Sequence, residues 1–360
     1  MIIAERNYGL GSLLTGQAIA YNSTDGIDIE IITGCTEKEP GLFDKLNESG
    51  VSYYKIKDLE YNREFFKRAA DLRSVILKVK PEFVHVQTNW QLALCVFIKI
   101  YFRQSFKIID TIHAFRHNHY LKSLLARFLI GIALFLFVNK IIVCSNYVKN
   151  KFWLLSYKMK LIYLGVDKQF LNKTDNIDLK YLGNINLTFP AEFRKGKNQD
   201  VLIKNLAKYI KSKKTVPHLK LILPGEGALK QKCIDLVKQL NIVEYVEFPG
   251  WVNKDTIVSI IKNSSIAFIT TNSETFGLCI AEPFSYGRCV VSRNVGVAPD
   301  IILNGVNGFI FKKDEELYEI IENLIENRHL IYETGNRAFE QRELFDWNSI
   351  AYQYKSFLGS

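Results

Sequence analysis

The stretch SIAFITTNSETFGLCIAEPFSYG, residues 265–287, carries the most structural information in this chain. It opens with a continuous apolar, β-branched run, SIAFITT, the pattern of a strand covered on both faces. Glu274 follows, and Thr275-Phe276-Gly277 then form a turn into a helix ending at Gly287. Such a helix directs backbone N–H groups that lack intrahelical partners outward from its amino end, where an anion such as a diphosphate can be held. Glu282 lies inside the helix, one to two turns on and within reach of a ribose hydroxyl; Glu274 lies at its mouth, where a sugar would sit. Two acids eight positions apart are common by chance, but a strand, an acid, a turn, a helix and a second acid in one block are not.

Working outward, similar short runs alternate with helical stretches from end to end. In the first half they are MIIAE, IDIEIIT, VSYYKI, EFVHVQ, KIIDTI, KIIVCS and MKLIYL; in the second, YLGNINLTFP, LKLILPG, YVEFPG, SIAFITT, RCVVSR and GFIF. Near-continuous apolar strands separated by helices imply an α/β fold with parallel sheets covered on both faces. At 360 residues, and about 150 per domain, two doubly wound, Rossmann-like domains are expected. The polar passage NKTDNID, residues 172–178, reads as the linker. The expected division is a first domain over 1–170, a second over 180–340, and a C-terminal helix over 341–360. That last segment contains the amphipathic FDWNSIAYQYKSFL and can pack back on the first domain. Ligands in this architecture bind outside the carboxyl ends of the strands, so two such domains are expected to face a ligand cleft.

Composition narrows the class. Apolar residues make up 48% of the chain, and six cysteines (35, 95, 144, 233, 279 and 289) are scattered without a Cys-x-x-Cys pair, as in a reducing compartment. The N-terminus MIIAERNYG carries a charge by position 5 and does not read as a signal peptide. The longest apolar run, Phe128 to Val138, has eleven residues, against roughly 20 for a spanning helix. A cytoplasmic protein is expected, peripheral on the inner face of the cell membrane. The formal charge is +10, and between Arg63 and Lys160 there are 17 Lys+Arg against four acids, so the excess sits in the first half. That basic surface beside LLARFLIGIALFLFV suggests contact with anionic headgroups. Taken alone, the apolar run reads as a core helix packed under a parallel sheet. Nucleic acid is not expected as a partner, because aromatics at stacking intervals and known nucleic-acid motifs are missing.

The block from Glu274 to Glu282 resembles the retaining family 4 glycosyltransferases of GT-B type, whose E-x7-E motif it matches residue for residue. The resemblance extends over most of the chain. Gly225-Glu226-Gly227 is similar to the family's G-D-G, Val246 to Gly250 to its V-x-F-x-G, and Glu282 to Val291 to its E-A-x-A-x-G-x-P-V-V. Gly296 through Gly308 is similar to the family's tail. In the first half, Gly9-Leu10-Gly11 stands where the glycine-rich β1–α1 loop would be. FVHVQT, TIHAF, VCS and LGVD resemble further landmarks.

The resemblance implies that Glu274 contacts hydroxyls of the transferred sugar, that Glu282 binds the nucleotide ribose, and that amides of Phe276, Gly277 and Leu278 hold the diphosphate. Gly11, Gly225 and Trp251 join the donor-binding set. His113, at the end of the strand KIIDTI, would face the reacting sugar and diphosphate as a donor to a hydroxyl or to the leaving phosphate. Cations are needed around the departing diphosphate, and Arg194, Lys195 and Lys197 follow the strand YLGNINLTF. The family places Arg and Lys here at an R-x4-K spacing. Glu192 stands five positions before Lys197; if Lys195 takes the lysine role instead, Pro190 holds the arginine position. Either way the arginine is absent from its usual place, and Arg194 is the candidate to compensate.

His113, His117 and His119 form an H-x3-H-x-H pattern that zinc could use in principle, but no partner Cys or carboxylate is near in sequence, and the family is metal-independent. No metal and no cofactor are expected; the substrate would be a UDP-, GDP- or ADP-type sugar. The expected activity is retaining transfer of that sugar to a glycan or polyprenyl-linked acceptor, in bacterial capsule, lipopolysaccharide or exopolysaccharide synthesis. Two alternatives are a nucleotide-sugar epimerase of the same architecture and a catalytically inactive nucleotide-sugar-binding subunit.

Overall fold

A computed structural model describes residues 2–4, 10–24, 30–33, 42–56, 64–113, 120–172 and 184–359. The chain divides into two compact units, residues 1–165 with 347–360, and residues 166–346.

The first unit is built on a parallel seven-stranded sheet in the order β3-β2-β1-β4-β5-β6-β7. Its strands are β1 (Ile2–Ala4), β2 (Glu30–Thr33), β3 (Ser52–Lys55), β4 (Phe83–Val86), β5 (Lys107–Ile112), β6 (Lys140–Val143) and β7 (Met159–Leu161). The second unit holds a parallel six-stranded sheet in the order β10-β9-β8-β11-β12-β13. These strands are β8 (Asn184–Thr188), β9 (His218–Pro224), β10 (Val246–Gly250), β11 (Ile266–Ile269), β12 (Cys289–Arg293) and β13 (Phe309–Phe311). Each run singled out in the sequence contains one of these strands. The reason is burial on both faces: all of Ile266–Ile269 and most of β5, β6 and β12 are buried. Both sheets reverse their strand order once, between β1 and β4 and between β8 and β11. Such reversals are the places where an open α/β sheet forms a ligand crevice at its carboxyl edge.

The boundaries differ from those expected at 170 and 341. The Val166 amide donates to the Phe345 carbonyl at 3.0 Å, and Phe345 is buried against Phe276 and Phe284. The segments on either side of that bond therefore belong to the second unit. The proposed linker, from residue 173 on, lies outside the described residues. The terminal helix Trp347–Gly359 belongs to the first unit. Its Trp347 ring fills a slot left by Gly16 and Gly165: a Cβ on Gly16 would stand 2.7 Å from the indole nitrogen, and one on Gly165 would run into the ring. Further along, Tyr354 stacks on Tyr21 at 4.2 Å between centroids.

The apolar run 128–138 departs from the expected core helix. It forms the end of the helix Tyr120–Phe137 and buries Leu134 and Val138, yet leaves Phe128, Leu129, Phe135 and Leu136 exposed. Among the described residues, Cys95, Cys144, Cys233, Cys279 and Cys289 form no disulfide; Cys35 lies outside them.

Candidate functional site

In the second unit the strand reversal brings two loops together. β8 and β11 are neighbours, Leu187 opposite Ile266, and the chain leaving each enters the site. After β8 the backbone winds through Gly196 and Asn198, both with positive φ (91° and 56°). Glycine adopts that conformation freely, and asparagine is among the few other residues that tolerate it. The loop is fastened to the end of β11 by side-chain and backbone bonds. Thr270 Oγ1 donates to the Asn198 carbonyl at 2.8 Å, Thr271 Oγ1 to the Gly196 carbonyl at 3.0 Å, and the Asn272 amide to the same Gly196 oxygen at 2.8 Å. Asn198 Nδ2 in turn donates to the Thr270 carbonyl at 3.1 Å.

This stitching sets Lys197 Nζ 2.5 Å from Glu274 Oε1, with only 11% and 16% of the two side chains exposed. Burial depresses the Lys197 ammonium, but Cys279 and Glu274 beside it, and the hydrogen bond to Glu274, more than offset that and raise it above the ordinary lysine range. Lys197 is therefore a held cation at the mouth of a helix. Of the three expected cations it is the one the fold joins to Glu274. Arg194 and Lys195 are exposed, and Arg194 is paired with Glu192 at 3.2 Å.

The helix opening beside the pair is Leu278–Ser285, capped by Gly277 in the left-handed region (φ 93°). A Cβ on Gly277 would sit 2.8 Å from Ile280 Cδ1. The amides of Ile280 and Ala281 make the helix's first bonds, both to the Gly277 carbonyl, so those of Leu278 and Cys279 precede the ladder and face outward from its amino end. The Phe276 side chain is core, and its carbonyl accepts from the Val297 amide at 2.8 Å. Gly296 permits that approach: a Cβ there would run into the Phe276 oxygen and stand 2.9 Å from Glu274 Cβ. A second loop thus braces Glu274, a support for which sequence spacing offered no signal.

Glu282 lies on the fifth residue of this helix. Burial raises its carboxyl to about 7, Lys254 opposing and Asp167 adding to the shift. Lys254 and Asp167 pair with each other at 2.5 Å, which sets Glu282 beside an ion pair formed by residues far apart in sequence. Cys279, near both glutamates, has its thiol pushed up to about 12, chiefly by burial; it is a neutral neighbour.

Gly225 and Gly227 follow β9 with φ near 140° (142° and 145°), and a Cβ on either would run into the carbonyl of Ala191 or Phe193. The glycines let the two loops lie backbone to backbone, with Phe193 N bonded to Glu226 O at 2.8 Å. Trp251 is 67% exposed beyond the edge strand β10. Three strand spacings, about 14 Å, separate β10, which Trp251 follows, from β11, which Glu274 follows.

In the first unit, β4 and β5 end in Gln87 and His113. His113 Nε2 is hydrogen-bonded to Gln87 Oε1. An amide oxygen only accepts, so Nε2 carries the proton. Gln87 Nε2 donates to His85 Nε2 at 3.2 Å, and His85 Nδ1 meets the Tyr354 hydroxyl at 3.1 Å. Burial lowers the His113 imidazole to about 4 and that of His85 to about 3, so both rings are neutral near pH 7. Gln87 fixes the tautomer of His113, a role its sequence position did not signal. Gly11 lies in the first turn of the helix Leu10–Asn22, where backbone amides have no intrahelical partner. Gly9, His117 and His119 lie outside the described residues.

Residues 172–341 match the family described as Glycosyl transferases group 1, and residues 20–170 match Glycosyltransferase Family 4. The O-antigen biosynthesis glycosyltransferase WclY of Escherichia coli is 25% identical over 303 residues, 81% of this chain and 82% of that protein. MJ1178 of Methanocaldococcus jannaschii, an uncharacterized glycosyltransferase, is 29% identical over 215 residues, 58% of this chain and 56% of its own length. Among solved structures, Anabaena HepE in complex with UDP has a TM-score of 0.79 at 18% identity over 99% of both chains, and its complex with UDP-glucose gives 0.78. With two parallel sheets of the GT-B kind and adjoining family matches that together run from residue 20 to residue 341, this chain is a glycosyltransferase of the family 4 type.

Proposed function

We propose that the chain transfers a sugar, with retention, from a nucleoside diphosphate donor to a glycan or polyprenyl-linked acceptor in bacterial surface-polysaccharide assembly. The observation that carries this is the buried Lys197–Glu274 pair at the amino end of the Leu278–Ser285 helix, with Glu282 inside the same helix. The diphosphate takes the Leu278 and Cys279 amides and Lys197, Glu274 accepts hydroxyls of the sugar, and Glu282 accepts those of the ribose. The printed functions of the relatives support the setting: WclY is named for O-antigen biosynthesis, and HepE was solved with UDP-glucose, which makes uridine the first base to test.

As the glycosidic bond breaks, negative charge collects on the departing diphosphate, and Lys197 with the helix amides stabilises it where it develops. The acceptor hydroxyl attacks from the face the leaving group vacates, and a diphosphate oxygen receives its proton. No second carboxylate of glycosidase type and no metal ion is needed. His113, neutral near pH 7 with its proton held towards Gln87, adds no charge to the site. The enzyme acts in the cytoplasm at the inner membrane face.

Glu274→Ala is expected to abolish transfer while the circular dichroism spectrum stays that of the wild type; the melting temperature falls, because Lys197 is left buried without its carboxylate. A fully active variant removes the assignment. The anomeric configuration of the product, read by NMR, tests retention. An epimerised, still diphosphate-linked donor formed without acceptor would make the enzyme an epimerase instead. A protein that binds UDP-sugar yet neither transfers nor hydrolyses it would be the inactive binding subunit; exposure of Arg194 in its pair with Glu192 is the observation that favours that reading.

A further inference from the structure

Residues two apart on a strand share a face of the sheet. His85 and Gln87, from the end of β4, therefore meet Thr111 and His113, from the end of the neighbouring β5, the register setting His85 beside Ile109. Tyr354 of the terminal helix covers the same group. Its ring lies 5.5 Å from that of His85, within 23° of parallel, and 4.2 Å from that of Tyr21. His85, Gln87, Thr111 and Tyr354 are buried, and His113 is half-buried. Buried polar groups are held to the partners that meet them, so the protons of this row have a direction. His113 Nε2 donates to Gln87 Oε1. The Gln87 amide nitrogen is thereby turned to His85 Nε2 and donates to it at 3.2 Å, beside the Thr111 hydroxyl at 2.6 Å. Burial keeps His85 neutral, and a neutral imidazole carries one proton. That proton stands on Nδ1 and goes to the Tyr354 oxygen at 3.1 Å. The row thus runs one way, from His113 to a hydroxyl on the terminal helix.

We propose that Tyr354 is a positioning residue for His113: as the last acceptor of the row it keeps the His113 proton on Nε2 and makes Nδ1 the nitrogen that accepts a hydroxyl of the bound sugar. The inference rests on the reading of His113 as a sugar contact, and it narrows that reading. An imidazole lone pair receives a hydroxyl proton but meets a phosphate oxygen as one acceptor meets another, so His113 serves the sugar and not the leaving diphosphate. Without the Tyr354 oxygen, a proton on His85 Nδ1 would be buried with no acceptor, a costly arrangement. It moves to His85 Nε2, where Thr111 Oγ1 receives it. Two donors then face each other at Gln87, whose amide turns over and presents its N–H to His113 Nε2. The His113 proton shifts to Nδ1, and the ring loses the nitrogen that accepted the sugar.

The test is Tyr354→Phe in the full chain, which keeps the ring and both stacks and removes one oxygen. Long-range proton–nitrogen correlation spectra of histidine-labelled protein report which ring nitrogen carries the proton, the His113 signals being those that His113→Asn removes. Without substrate, His113 should be protonated on Nε2 in the wild type and on Nδ1 in Tyr354→Phe. Gln87→Leu, which cuts the row in the middle, should likewise release His113 from the Nε2 form, and it carries the test if Tyr354→Phe does not fold. Turnover of UDP-glucose should fall about tenfold in Tyr354→Phe, the worth of one hydrogen bond. A wild-type tautomer in the variants overturns the proposal, as does a shifted tautomer with undiminished turnover. The tautomer is read on the free protein, so its failure is distinct from failure of the transferase reading, which Glu274→Ala tests.

Discussion

Lys197 and Glu274 neutralise each other at the mouth of the Leu278–Ser285 helix, whereas Glu282, deeper in the same helix, has a carboxyl raised to about 7. The two glutamates were legible in the sequence because strand, turn and helix are contiguous there. Lys254 and Asp167, which set the surroundings of Glu282, were not, because nothing local relates residues so far apart. The raised carboxyl has a functional consequence. Ribose hydroxyls donate well to a carboxylate and poorly to a neutral acid. Affinity for UDP should therefore rise as pH climbs through about 7, and Glu282→Gln should lose that dependence and bind about tenfold more weakly on the alkaline side, a hydrogen bond to a charged group being worth about 1.5–3 kcal/mol. Calorimetric titration with UDP at about one pH unit either side of 7 measures it. A flat wild-type profile, or an unchanged slope in the variant, removes Glu282 from the ribose.

The elements were more legible than the joints between them. Among the described residues, thirteen apolar runs became thirteen parallel strands, since strands buried on both faces must be apolar throughout and so stand out in sequence. The unit boundary did not stand out: composition marks a polar stretch, but the chain passes to the second unit earlier, where Val166 bonds to Phe345. Similarly, the amphipathic pattern foretold a terminal helix but not what holds it. Trp347 sits between Gly16 and Gly165, and the absence of two Cβ atoms is the fit. Gly165→Ala should displace the indole and loosen the helix, at a cost of about 1–3 kcal/mol for overpacking. Gly131→Ala, where a Cβ meets nothing within 4 Å, should be neutral or slightly stabilising, alanine being the better helix former. Urea unfolding followed by tryptophan fluorescence compares the two; equal midpoints would mean the slot does not anchor the helix.

Across the whole chain, the two units should respond to acid in opposite directions. In the first, burial lowers His85 to about 3 and His113 to about 4, and raises Asp110 to about 7. The unfolded chain binds two more protons than the folded unit on the histidines between about pH 4 and the ordinary imidazole value of 6.5, and one fewer on Asp110 between 3.8 and about 7. Stability rises with pH wherever the unfolded state holds more protons. The net of one proton makes the first unit gain about 1.4 kcal/mol per pH unit up to 6.5, then lose stability as Asp110 ionises. In the second unit Glu282 acts the other way: its stabilisation is complete below 4.5 and is lost as pH rises through about 7. Acidification from 6.5 to about 5 should thus separate the two unfolding transitions, the first unit failing earlier. Asp110→Asn should double the slope of the first unit and remove its decline above 6.5. Proteolysis pulses along a urea titration, with fragments assigned by mass, resolve the units. Transitions that move together with pH, or an unaltered slope in Asp110→Asn, would mean that the buried groups of the first unit are not the ones that set its stability.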